Sequence, residues 1–245
     1  MTRQTFVSAV DHVIRERKTK KLLGNASGAE PHPLDDSGRL QEFDAGVQAC
    51  LALAGWAPFH HGRGALDVDC QRAIPEPWRF YHLDRLACLT LLHNIDELLS
   101  PEDRRGKVPA LLASAGALVI ATWLPDVEQP ILETDDPDSA AEKSKTNRKL
   151  EMRNEEHLAA TACAVHNLIL AAEARGLDSY WSSGGLLRDD RVRRYLDLSI
   201  HERIIGTVFL APCHTDFANI TVAPGGQRRL RTAPAHWCRR VNLLE

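Results

Sequence analysis

EHLAATACAVHNLILAAEARGL, residues 156–177, carries its apolar residues at one helical phase. Leu158, Ala162, Val165, Ile169 and Ala172 fall at i, i+4, i+7, i+11 and i+14, and Gly176 stands where a helix would be capped. The spacing predicts a helix over Glu156–Arg175. Alanines fill much of the remaining surface, so other backbones can approach it on several sides, which predicts a central position. Outward toward the C-terminus, Leu177–Ser183 reads as a short strand, Asp189–Leu196 as a helix and Ile204–Ala211 as a buried strand. The tail, residues 212–245, has no clear period. Toward the N-terminus, ALVIATW (117–123) is the near-continuous apolar run of a strand covered on both faces. Trp78–Leu83 predicts another strand, and Asp84–Leu99 a helix with Asp84 as its N-cap. Leu40–Gly55 reads as a helix through Phe43, Val47, Leu51 and Ala54. Phe6, Val10, Val13 and Ile14 mark a first helix. No repeat is present, and the strands are too few and too irregularly spaced for a TIM barrel or a Rossmann sheet. A single helix-rich α+β domain over 1–245 is expected.

Residues 125–155 change character, acidic at Glu133, Asp135, Asp136 and Asp138 and basic at Lys143, Lys145, Arg148 and Lys149. Two readings stay open: a lid over a binding site, or a solvated surface excursion. Composition sets the outer limits. Of 245 residues, 44% are hydrophobic and 26% charged, with a net charge of −3, which excludes a globally disordered chain. Thirty basic against 33 acidic residues leave no cationic field for nucleic acid. The six cysteines include no CxxC pair. Cys50, Cys88 and Cys163 lie in apolar stretches and read as small buried hydrophobes, which favours a reducing compartment. The N-terminus has too short an apolar run for a signal peptide, and the tract 110–124 is too short to span a bilayer, so the cytoplasm is expected.

Nucleophile and metal signatures are missing: there is no GxSxG, no HExxH and no plausible metal triad, and Gly62-Arg63-Gly64 lacks the third glycine of a dinucleotide fingerprint. The basic string Arg15–Lys21 has two readings. Cations suit the C-terminal end of the first helix through its dipole. Equally, Arg17, Lys18 and the Thr19 hydroxyl suit a phosphate, by bidentate and charge-assisted hydrogen bonds.

Five signatures occur in one order. Arg17-Lys-Thr-Lys-Lys21 is similar to the RRSxR string that opens flavin-dependent nitroreductases. Ala54-Gly-Trp-Ala-Pro58 with Glu76-Pro-Trp-Arg-Phe80 resembles that family's A..AP and QPWRF pair. The segment 156–177 resembles its central helix, and Ser179-Tyr-Trp181-Ser-Ser-Gly184 and Ile204–Ala211 resemble the two strands that follow. The resemblance covers about residues 5–212 and is nearest to the small bacterial subgroup.

It implies an α+β nitroreductase-like fold, with a central mixed or antiparallel sheet flanked by helices, in an interlocked homodimer holding FMN at the subunit interface. By position, Arg17, Lys18 and Thr19 would take the FMN phosphate and ribityl end. Trp56 and His60, and the strand end Trp181, Ser182, Ser183 and Gly184, would face the flavin, and Ala171–Gly176 would meet the nicotinamide donor. No catalytic side chain and no metal are implied, because the flavin carries the chemistry. NADH or NADPH would be the co-substrate, and a nitroaromatic, quinone or activated alkene the acceptor in a ping-pong cycle. A non-catalytic flavin-binding or storage protein is the alternative, and so is a reductive dehalogenase. The dehalogenase branch grips its substrate with Glu, Tyr and Lys of a lid, and here 125–155 has no tyrosine. Thr19 replaces the family's serine, Glu76 its glutamine, and Ala211-Pro212 its Gly-x-Pro. Arg228, Arg229 and Arg231 stay unplaced.

Overall fold

The computed structural model describes residues 3–26, 31–61, 74–103, 106–126 and 137–241, the side chains of 137–144 excepted. Twelve elements follow in order: α1 (Arg3–Glu16), β1 (Lys20–Leu23), α2 (Ser37–Ala54), β2 (Trp78–Leu83), α3 (Arg85–Leu98), α4 (Val108–Ser114), β3 (Ala117–Trp123), α5 (Pro137–Ala174), β4 (Asp178–Ser182), α6 (Asp190–Tyr195), β5 (Arg203–Ala211) and β6 (Thr221–Pro224).

β3 explains the layering. Every residue of ALVIATW is buried, and the strand pairs antiparallel with β2 on one side and β5 on the other, giving the order β2-β3-β5-β4. Successive side chains of a strand point to opposite faces. Ala117, Val119 and Ala121 therefore pack with Val47 and Cys50 of α2 and Val165, Leu168 and Ala172 of α5. Leu118 and Ile120 pack with α3, α4 and α6 through Leu91, Ile95, Leu112 and Val192. Small residues on the first face let the alanine-rich α5 come close, while the larger ones fill the space under three shorter helices. Burying each Leu, Ile or Val contributes about 1.5–3 kcal/mol.

Local signals hold where they are strong. The Asp84 side chain accepts a hydrogen bond from the Ala87 amide at 2.8 Å and starts α3. α5 ends in a Schellman closure: Leu177 N–H donates to Ala172 O and Gly176 N–H to Glu173 O, both at 3.0 Å, with Gly176 at φ +72°. The sheet is antiparallel throughout. β1 and β6 form a separate antiparallel ribbon, tied to the β4 edge by a parallel bridge between Thr19 and Ser179.

Four expectations change. The excursion expected over 125–155 is helix from Pro137 onward, so α5 has 38 residues and a length of about 57 Å; Glu133 and the rest of 127–136 lie outside the described residues. Of the expected stripe, Val165, Ile169 and Ala172 are buried but Leu158 is exposed, because the buried face of the preceding turns runs through His157, Ala160, Thr161 and Ala164. Cys163 is exposed, since it sits on the α5 side turned from that stripe, whereas Cys50 and Cys88 are buried. The tail, which showed no period, supplies β6. Among the described residues, no helix is long and apolar enough to cross a membrane.

Candidate functional site

The basic string leaves α1 at its C-terminal end, and the tail returns to meet it. Arg228 donates to three carbonyls of that end, Arg15 O at 2.8 Å, Arg17 O at 3.2 Å and Glu16 O at 3.5 Å. The helix end is thus served by a residue 211 positions downstream of the string. Arg17 is left half-buried beside two other arginines. Burial first, and then the nearby Arg231, push its guanidinium down; Glu173 pulls the other way and Arg228 adds to the push. On the same side of α5, burial and the charge of Arg17 push the His166 imidazole down. Arg17, Arg228 and Arg231 gather here with the carboxylates of Glu173 and of Glu16, the latter 3.6 Å from the Lys18 ammonium, and this excess of cations can receive an anion.

Thr19 is held on both sides. Its carbonyl accepts the Gly225 amide at 3.0 Å, and a Cβ at Gly225 would come 3.0 Å from the Thr19 side chain, tight enough that Thr19 would have to shift. Across the ribbon, Thr19 bridges Ser179 at the start of β4. Two residues on, Trp181 shares the Ser179 face and packs on the α5 side of the sheet. Gly206 of β5 lets the indole lie there: a Cβ at that position would fall 2.7 Å from Ser182 O and against the Trp181 ring.

Beyond Trp181 the chain turns through Gly184 at φ +107° and Gly185 at φ +54°. The Gly184 amide donates to Ser182 Oγ at 3.2 Å, and Arg188 Nε donates to Ser183 O. The string and the Trp181–Gly184 turn are therefore the two ends of one strand. From Ser179 to Ser183 that is about 13 Å at 3.3 Å per residue.

Other expected site residues lie elsewhere. Trp56 is 82% exposed just after α2, and His60 is exposed close by. The segment between them is anchored through Ala57 and Phe59 to Ala160 and Ala164 of α5 and to Trp78, with the Phe59 and Trp78 rings edge to face at 5.5 Å. Trp78 belongs to β2, at the opposite edge of the sheet from β4. Three strand spacings separate the two edges, about 14 Å. Within one chain, the Trp56–His60 segment does not join the Arg17–Trp181 strip. Ala171 is buried in the core against β3 and β5, and Gly176 serves as the helix closure. Arg228 and Arg231, which sequence reading left unplaced, join the string; their only sequence signal is the charge of the run 228–231.

A family model described as the nitroreductase family matches residues 44–211. The chain is similar in structure to a nitroreductase-like family protein from Bacillus cereus, with 19% identity, 95% of each chain covered and a TM-score of 0.57. It is similar to a nitroreductase with bound FMN from Bacteroides fragilis, with 17% identity, 95% of this chain and 98% of that one covered, and a TM-score of 0.51. It also resembles the nitroreductase CinD from Lactococcus lactis, solved with nicotinic acid, with 14% identity, 97% and 100% covered, and a TM-score of 0.53. No curated protein matches the chain. With more than two thirds of its length under the family model and the sheet, central helix and element order in place, the chain belongs to the nitroreductase family.

Proposed function

We propose that the protein is an FMN-dependent oxidoreductase that takes electrons from NADH or NADPH and passes them to a nitroaromatic, quinone or activated alkene. The convergence of Arg17, Arg228 and Arg231 at one end of β4 carries this reading. A phosphate of about −2 charge suits that donor set, because it relieves the mutual repulsion of the arginines and takes charge-assisted hydrogen bonds from them. FMN, when bound, supplies the two-electron chemistry between nicotinamide and acceptor. The chain's part is to bind and orient. Arg17, Lys18 and the Thr19 hydroxyl hold the phosphate end, β4 sets the distance, and Trp181, Ser182, Ser183 and the Gly184 turn border the ring end. A structural relative solved with FMN supports the choice of flavin.

The separation of Trp56 and His60 from this strip supports a homodimer, in which the partner's copy of that segment completes the flavin site. α1 supports it too. None of its residues is buried, and Phe6, Val10 and Ile14 are 61%, 42% and 50% exposed on one apolar face. A 14-residue helix is marginal without a face to pack on. The first half of α5, where none of the side chains from Lys145 to Asn154 is buried, is the segment we assign to acceptor selection. The unpaired Cys50, Cys88, Cys163, Cys213 and Cys238 fit a cytoplasmic setting.

Anaerobic mixing of the flavin-loaded protein with NADH and, separately, NADPH tests the activity. Bleaching of the flavin absorbance with either donor is the expected result. Flavin that stays oxidised with both makes the protein a flavin binder rather than a reductase.

A further inference from the structure

We propose that Asp178 is a positioning residue for the phosphate-binding string, acting through Lys20; the proposal rests on the flavin reading above. The Asp178 side chain is only 4% exposed and takes contacts on both oxygens. Oδ1 accepts the Lys20 ammonium. Oδ2 accepts the His214 backbone amide at 2.7 Å and lies 2.7 Å from His214 Nδ1. One buried carboxylate therefore ties together β1, the first residue of β4 and the turn that follows β5.

Asp178, Cys213 and His214 together offer metal ligands. The Lys20 ammonium already sits among them, on Asp178 and 3.4 Å from His214 Nδ1, so the positive charge at this carboxylate comes from the string itself.

The consequence for the string follows from strand geometry. Lys20 and Thr19 are consecutive, and Asp178 and Ser179 are consecutive: Lys20 reaches Asp178 while Thr19 bridges Ser179. Lys20 turns inward beside the buried Leu22 and next to Tyr180 and Phe209, which places the Thr19 side chain on the opposite side. A one-residue slip of the string against β4 would reverse the two and bury the threonine in place of the lysine. It would also take the ammonium away from its carboxylate and leave Asp178 with its His214 contacts alone. Asp178 thus fixes which residues of the string face outward, at the end of β4 where the arginines gather. Its own side chain is buried and engaged by Lys20 and His214, so it acts on the site through the string.

The test separates positioning from simple stability by comparing FMN with riboflavin, which lacks the phosphate. Dissociation constants for both flavins are measured by fluorescence quenching on the full chain, for the unaltered protein, Asp178→Asn and Lys20→Met. Positioning predicts that both substitutions weaken FMN by about tenfold or more, the range of a charge-assisted contact, with riboflavin affinity nearly unchanged. An unchanged FMN-to-riboflavin ratio, even with a lowered melting temperature, overturns the proposal and leaves Asp178 a clamp on the fold. Should Asp178→Asn fail to fold, Lys20→Met decides alone, since it keeps the contacts of the carboxylate with His214. An unaltered protein that binds FMN no tighter than riboflavin refutes the phosphate reading of the string itself, a failure visible before any variant is made.

Discussion

Arg17→Ala is expected to weaken FMN binding by about ten- to a hundredfold while leaving the melting temperature of the flavin-free protein nearly unchanged. A hydrogen bond to a charged group is worth about 1.5–3 kcal/mol, which sets that range. Folding is spared because the work at the end of α1 belongs to Arg228, whose guanidinium reaches the carbonyls of Arg15, Glu16 and Arg17. Removing Arg17 also relieves its repulsion with Arg231 and Arg228 in the flavin-free state. The flavin-free variant therefore has no reason to be less stable, and the loss should appear almost wholly in flavin affinity. Titration of the flavin-free variant with FMN, alongside thermal melts, checks both halves. Unchanged affinity with a lowered melting temperature returns the string to a helix-end role.

Ile14→Glu should convert a dimer into a monomer at micromolar concentration and remove most of the bound flavin with it. Ile14 belongs to an α1 face that stays half-exposed among the described residues, and a charge there cannot be desolvated without a large penalty. The exposed Leu230, Trp237 and Val241 of the tail add further uncovered apolar surface. In one chain the Trp56–His60 segment packs beside Trp78 of β2, at the opposite edge of the sheet from β4, so a monomer is expected to hold only part of the site. Sedimentation of the unaltered protein and the variant, with flavin absorbance followed in the same run, gives both answers. A flavin-loaded monomer of the unaltered protein would show that the site is complete within one chain.

How far the sequence could be read depends on where each element's stability comes from. β2 and β3 were legible to the residue, because β2 is a short run rich in aromatic residues between Pro77 and Asp84 and β3 a continuous apolar run that starts after Gly116. Asp84 was legible as a cap because its chemistry is local. The first half of α5 was not: Lys145, Arg148, Lys149 and Arg153 are good helix formers, yet that half buries no side chain among those described and shows no apolar period. β6 escaped for a similar reason. Thr221–Pro224 is half-exposed and is a strand only because Val222 and Ala223 find Leu22 and Lys21 across the ribbon. In the proposed site, Arg17–Thr19 and Trp181–Gly184 are candidates from the sequence because their residue types recur in a familiar order. Arg228 and Arg231 could not, since a run of arginines in an aperiodic tail carries charge but no address. Asp178 was hidden for the opposite reason, being one carboxylate whose partners, Lys20 and His214, are 158 and 36 residues away.

The central claim is that the strip from Arg17 to Gly184 holds FMN. Denaturing the purified protein and chromatographing the released chromophore tests it directly, with reconstitution by added FMN for any flavin lost during purification. A yellow protein that releases FMN in stoichiometric amount with the chain is the expected result. A colourless protein that takes up no FMN on reconstitution would contradict it.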